Sequence, residues 1–327
     1  MKLRPSEFSM RAVQLQNNEL VFSADAPEPV PVAGEVIVKV QQTGICETDL
    51  QLIQGYMGFQ GTLGHEFTGV ATAGRFAGRR VVGEINCPCG TCTTCEAGRP
   101  RHCPSRTVVG ILNRDGAFAD LLTIPESCLH EVPNHVSDEH AVFVEPVAAA
   151  CRIVEQQIIQ PTDRVLILGA GRLGNLCAQV LNPLCGELLV VGKHSAKLAR
   201  VSDCGINTEQ LRELKPQPVW DVVVDCTGSV SGMETARTCV RACGTIVLKT
   251  TVAAEQSVHM ASVVIDETRV IGSRCGPFEP ALQLIADQKL QLDSLISATF
   301  NIKDAVQAFE MSNGNDVLKV QLCIGQN

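Results

Sequence analysis

Five short apolar runs punctuate the second half of the 327-residue chain, at 164–168, 188–191, 219–225, 244–249 and 269–272. Each is parted from the next by enough residues for a helix. Parallel strands need a crossover of a dozen or more residues, and helical crossovers cover both sheet faces, which leaves the strands continuously apolar. The pattern therefore predicts a doubly wound parallel sheet, an α/β unit. The first run leads directly into Gly169-Ala-Gly171-Arg-Leu-Gly174, which opens a helical stretch through Val180. In such a turn the first glycine reverses the chain, the second admits a pyrophosphate to the backbone, and the third lets helix pack on strand. The helix N-terminus adds positive potential. Gly169, Gly171, Arg172, Leu173 and Gly174 are thus the expected dinucleotide cradle.

A cofactor with a free ribose 2′-hydroxyl calls for an acidic residue about 20 positions on, at the end of the second strand. The text there reads Val191-Gly-Lys193-His194-Ser195, with no acid. Lys193 and His194 suit a 2′-phosphate, with Lys197 and Arg200 adding charge, so NADP is expected over NAD. Asp225, in Asp225-Cys-Thr-Gly228, falls at the carboxyl edge of its strand, where it contacts adenosine or ribose, or else caps a helix. Arg274, after the last run, approaches the pyrophosphate or makes a surface ion pair.

The first 135 or so residues read as mainly β, with strands at 35–40, 67–73 and 79–85. Helical spacing begins at Ser137, and helices near 278–288 and 303–312 precede a last strand near 317–324. Twenty-seven Lys plus Arg against 35 Asp plus Glu give a net charge of −8, which argues against a general nucleic-acid binder. No run reaches the ~18 apolar residues a membrane span needs. Lys2 and Arg4 have no apolar core behind them, so the start does not read as a secretory signal, and a cytoplasmic location is expected. A reducing cytosol would keep the 16 cysteines as thiols or metal ligands.

Four of them stand in Cys89-Gly-Thr-Cys92-Thr-Thr-Cys95-Glu-Ala-Gly-Arg-Pro-Arg-His-Cys103. Four thiolates at this spacing wrap one tetrahedral Zn²⁺ in a closed site that pins a lobe. Cys87 reads as a bystander. A second set is dispersed: Cys46 with Thr48 and Asp49, then His65-Glu66, then Glu145 in Val-Glu-Pro. Thiolate, imidazole and carboxylate together suit zinc with an exchangeable position. Taken singly, each is as well explained by a buried thiol, a core histidine or a helix-start charge.

The order Gly-Ile-Cys46-x-Thr-Asp-Leu, Gly-His65-Glu-Phe-x-Gly, the four-cysteine lobe, Val-Glu145-Pro and the glycine turn resembles the zinc-containing medium-chain dehydrogenase/reductase family. It is most similar to the sorbitol and threonine dehydrogenase branches, from about Glu35 to Leu318-Lys-Val. The resemblance implies a GroES-like, mainly β catalytic domain over 1–148, completed by 276–327, and a Rossmann domain over 149–275. It implies two zinc ions, the catalytic one on Cys46, His65 and Glu66, with Glu145 as fourth ligand or holder of the zinc water. Thr48 would relay the alcohol proton and Asp49 would orient His65. Cys46 thiolate and Glu66 carboxylate neutralise the ion, so Glu145 is expected to exchange with substrate or water.

Two departures stand out. Gln51 replaces the histidine that ends the proton relay in many alcohol dehydrogenases, and the segment between Gly69 and Arg80 is clipped. The expected activity is hydride transfer between an alcohol or polyol, or the matching carbonyl, and a nicotinamide dinucleotide. A zinc-free quinone or enone reductase of the same fold and a non-catalytic redox sensor are the competing readings. The 55–59 turn lines the substrate pocket or is an ordinary apolar turn. A homodimer or homotetramer is expected from the resemblance.

Overall fold

A computed structural model describes residues 9–251 and 258–325. It divides into two compact units, one of residues 1–145, 285–287 and 296–327, the other of 146–284 and 288–295.

Among the described residues of the first unit, the larger sheet has seven strands. Its centre is Glu35–Gly44, paired antiparallel with Glu66–Ala71, with Leu121–Pro125 and with the C-terminal Lys319–Cys323. Alternating burial along Glu35–Gly44 gives way to continuous burial at Thr43 and Gly44, where the strand enters the core. That end matters for the site. The register sets Gly44 opposite both Glu66 and Gln321, and a Cβ at Gly44 would overlap the Glu66 carboxylate and crowd Val142. The short helix Glu47–Ile53 follows directly, with Cys46 as its N-cap. Ser137 caps Asp138–Ala141 by accepting from the His140 backbone N–H at 3.2 Å.

The second unit carries, among its described residues, six parallel strands in the spatial order third, second, first, fourth, fifth, sixth. They are Asn207–Gln210, Glu187–Gly192, Arg164–Leu168, Trp220–Asp225, Val240–Leu248 and Arg269–Gly272. The order reverses between Arg164–Leu168 and Trp220–Asp225, the crevice where such sheets bind ligands. Leu166, Leu168, Val223 and Ile246 are buried against Met233 and Ala236 of the helix Val230–Cys239. The five apolar runs are all strands here. The sixth, Asn207–Gln210, is polar and was not expected, because it pairs only along one edge and buries little.

The return to the first unit differs from the expectation at 276. The helix Phe278–Ala286 falls largely within the second unit, which holds residues up to 284 and again 288–295. Val144–Glu155 is one helix, with Pro146 in its first turn, where no intrahelical N–H bond is lost.

Candidate metal and dinucleotide sites

The four-cysteine lobe is built from tight turns. Cys92 begins the single-turn helix Thr93–Glu96, Pro100–His102 delivers Cys103, and Gly90 and Gly98 take left-handed φ of 78° and 72°. The ligand atoms of Cys89, Cys92, Cys95 and Cys103 all lie within 4.8 Å of one another. Neighbouring sulfurs stand 3.5 Å apart for Cys92–Cys95 and Cys89–Cys103, and 3.8 Å for Cys92–Cys103. A tetrahedron with Zn–S of about 2.3 Å has edges of about 3.8 Å, so the cage fits that ion. The Thr91 backbone N–H, the Cys103 thiol and the Cys92 backbone N–H bring Cys89 down to about 6, while lost hydration and the Cys92 sulfur push Cys95 up to about 12.

The second cluster joins Cys46, His65 and Glu66, whose ligand atoms also lie within 4.8 Å of one another. His65 and Glu66 are buried and Cys46 is half-buried. Local structure explains each placement. Asp49 accepts the Cys46 backbone N–H through Oδ2 at 2.8 Å, which closes the helix start and fixes the thiol. Its Oδ1 stands 3.4 Å from His65 Nδ1, the geometry of a carboxylate that orients a ligating imidazole. Burial opposes charge on His65, yet Asp49 and the Cys46 sulfur outweigh it and hold the imidazole pKa well above its ordinary value. Thr48 Oγ1 is 3.9 Å from Cys46 Sγ.

Glu145 occupies the first turn of Val144–Glu155, half-buried, and the close cluster does not include it. Conversely, the structure adds a residue that sequence reading passed over. Lys319 Nζ donates to Glu66 Oε2 and, at 3.2 Å, to the Ile45 carbonyl, with Phe143 beneath it. Its only sequence signal was a lysine inside an apolar terminal strand, where an unpaired ammonium would be costly.

Near 55–59, Met57, Gly58 and Phe59 line a cavity of about 430 Å³ with residues 111–115. Its charged groups are already committed: Arg114 donates to Glu35 at 2.6 Å, and Asp115 accepts the Thr62 N–H at 2.8 Å.

In the second unit the glycine turn divides its labour as the motif requires. Gly169 takes φ 102°, and a Cβ there would stand 2.8 Å from the Cys226 carbonyl. A Cβ at Gly174 would overlap the Gly169 carbonyl, whereas one at Gly171 would meet nothing within 4 Å. The open face is thus at Gly171, in front of the helix Arg172–Leu181, whose first residues are Arg172 and Leu173. That is the room a pyrophosphate occupies.

Lys193 and His194 connect Glu187–Gly192 to the helix Ser195–Ser202, Lys193 exposed and His194 its N-cap. Lys197 and Arg200 lie on that helix. Asp225 is buried and accepts the Thr227 N–H at 2.9 Å and the Thr227 hydroxyl at 2.7 Å, so its carboxylate closes the turn after its strand. Arg274 is exposed beyond Arg269–Gly272, with Nη1 3.3 Å from Cys275 Sγ.

A mainly β unit with a four-cysteine cluster and a Cys46–His65–Glu66 cluster, and a doubly wound sheet with a glycine turn, define an oxidoreductase architecture. Residues 32–134 match the alcohol dehydrogenase GroES-like domain. The chain is 28% identical to a sorbitol dehydrogenase of Halalkalibacterium halodurans, over 91% of this chain and 94% of that one. It is also 28% identical to a probable D-xylulose reductase A of Aspergillus fumigatus, over 84% and 86%. A Sinorhizobium meliloti structure described as a zinc-binding dehydrogenase bound to NADP superposes with a TM-score of 0.88 at 26% identity, covering 97% of this chain and all of that one. The chain is thus similar to zinc-binding alcohol and polyol dehydrogenases, sorbitol dehydrogenase and xylulose reductase among them. Among the described residues, no helix is long and apolar enough to cross a membrane.

Proposed function

We propose that the protein is a zinc-dependent alcohol or polyol dehydrogenase that uses NADP in preference to NAD. The observation that carries this reading is the convergence of Cys46, His65 and Glu66, three ligand types suited to zinc, beside an oriented hydroxyl at Thr48. When bound, zinc supplies Lewis acidity toward an alcohol or carbonyl oxygen, and the dinucleotide accepts or returns the hydride. Cys46, His65 and Glu66 would hold the ion, and Cys89, Cys92, Cys95 and Cys103 a second, structural one. Glu145 would exchange with substrate or water.

The protein's own side chains do the rest. Asp49, with Oδ1 3.4 Å from His65 Nδ1, would orient the imidazole for a bound ion. Lys319 offsets the Glu66 charge and so preserves the ion's electrophilicity. Thr48 would take the alcohol proton, and Gln51, in the next relay position, cannot accept it as a histidine would. The Gly171 face and the N-terminus of Arg172–Leu181 take the pyrophosphate, and Lys193, with His194, takes the 2′-phosphate. Asp225 supports this site through its turn, and Arg274 adds positive charge at its rim.

The protein works as a homodimer or homotetramer. Arg269–Gly272 ends the sheet with one free edge among the described residues, next to exposed Met260, Val264, Ile265 and Val270, so two copies pair edge to edge.

The deciding experiment is elemental mass spectrometry on protein purified without chelator. About two zinc ions per chain, falling to about one in Cys46→Ala, supports the reading. About one, unchanged by that substitution, overturns it in favour of a zinc-free reductase or a sensor.

A further inference from the structure

One buried charge in the parallel sheet has no part in the chemistry above. Four strands of that sheet end in one row: Leu168 pairs with Asp225, Asp225 with Leu248, and Leu248 with Gly272. The next residues along each strand, Gly169 of the glycine turn, Cys226, Lys249 and Ser273, form the rim of the crevice. Backbone N–H groups tie that rim together, from Cys226 to the Leu168 carbonyl at 2.9 Å, from Lys249 to that of Asp225 at 3.0 Å and from Ser273 to that of Leu248 at 3.0 Å. Lys249 is only 7% exposed. Its Nζ donates to the Ala149 carbonyl, in the helix Val144–Glu155, at 2.6 Å and to Ser273 Oγ at 3.3 Å. Both partners are neutral. Asp225 spends its carboxylate on Thr227, and among the described residues no carboxylate pairs with Lys249.

An ammonium kept from water without a counter-charge is costly, and an apolar residue would continue this strand end at no such cost. Its place in the sheet supplies a use. A doubly wound sheet binds a dinucleotide across its switch point, one mononucleotide to each half. With pyrophosphate at the glycine turn and the 2′-phosphate at Lys193, adenosine lies over the first three strands. Nicotinamide is left with the carboxyl ends of the fourth, fifth and sixth. Lys249 ends the fifth, two strands from Gly169 and thus about 10 Å away at the usual strand spacing.

We propose that Lys249 sets the preference between the two oxidation states of the dinucleotide, its ammonium disfavouring oxidised nicotinamide, whose ring is a cation, relative to the neutral reduced ring. This inference rests on the dinucleotide site proposed above. Adenosine, pyrophosphate and 2′-phosphate are the same in both states, so a group that separates them must act on the nicotinamide ring. Between unit charges roughly 10 Å apart, at an effective dielectric of about 20, the repulsion is worth about tenfold in affinity. Hydride transfer to the ring removes its charge. On the protein the equilibrium therefore moves toward reduced dinucleotide, and the oxidised form leaves more readily; the overall equilibrium in solution is unchanged.

The test titrates zinc-loaded protein with NADPH by cofactor fluorescence and then displaces it with NADP⁺, which gives both dissociation constants. In Lys249→Met the ratio of the NADP⁺ constant to the NADPH constant should fall about tenfold. Lys249→Arg, which keeps the charge, should hold the ratio near its original value. NAD⁺ and NADH should show the same fall, because the 2′-phosphate plays no part. General damage to the site weakens both forms alike and leaves the ratio where it was. Equal loss for both forms, or an unchanged ratio, in Lys249→Met overturns the proposal, as does an equal fall in Lys249→Arg. Should Lys249→Met not fold, Lys249→Gln is read by the same criterion. Unsubstituted protein that binds neither dinucleotide overturns the site reading and this proposal with it. Binding of both forms with no response of the ratio to Lys249 overturns the proposal alone.

Discussion

Lys319 and Glu66, separated by 253 positions in the chain, meet as a buried ion pair at the end of the central sheet, their side chains 2% and 1% exposed. The antiparallel pairing of Lys319–Cys323 with Glu35–Gly44, and of Glu35–Gly44 with Glu66–Ala71, brings them together across Gly44. Removing one partner of such a pair strands the other charge away from water.

Lys319→Met should therefore destabilise metal-free protein by about 3 kcal/mol, measured by urea unfolding, because Glu66 is left unpaired. Adding Glu66→Gln to it should recover part of that loss. Equal losses from the single and double variants would show that the pair carries no coupling.

The raised pKa of His65 makes zinc affinity depend on pH. Burial opposes its charge but Asp49 and Cys46 prevail, so without metal the imidazole keeps its proton to higher pH than usual. This charged form stabilises the metal-free fold fully below the unfolded pKa of about 6.5, and the gain is lost as pH rises through the folded value. Zinc must displace that proton. Affinity at this site should rise about tenfold per pH unit below the folded pKa and flatten above it, as competition titration would show. Asp49→Asn should lower the His65 pKa and move the levelling-off to lower pH; an unmoved break would contradict this account.

Gly171 and Gly174 should separate binding from folding. Gly171→Ala introduces a methyl into open space at an ordinary φ of −72°, so its melting temperature should hold while dinucleotide affinity drops about tenfold or more. Gly174→Ala collides with the Gly169 carbonyl and should lower stability by more than 1 kcal/mol. Unimpaired cofactor binding in Gly171→Ala would place the pyrophosphate elsewhere.

Lys193→Asp should reverse the ratio of kcat/KM for NADP and NAD, since a carboxylate repels the 2′-phosphate and accepts ribose hydroxyls. Steady-state kinetics with each cofactor reads this directly. An unchanged ratio would make Lys193 a solvated turn residue.

What the amino-acid order determined by itself was local. The apolar runs dictated the parallel strands, the glycine spacing dictated the turn at 169–174, and thiols at short intervals dictated the cage at 89–103. Each depends on backbone geometry within a few residues, where spacing and conformation are one constraint. Tertiary structure decided which dispersed groups meet. Cys46, His65 and Glu66 were individually ambiguous until strand register joined them, and Glu145 stayed outside their close cluster. Lys319 gained meaning only as the partner of Glu66. The polar strand Asn207–Gln210 exists because an adjacent edge offered hydrogen bonds, not because its residues favour extension. Long-range pairs are set by sheet register and helix packing, which depend on all elements together and leave no mark in the spacing of neighbours.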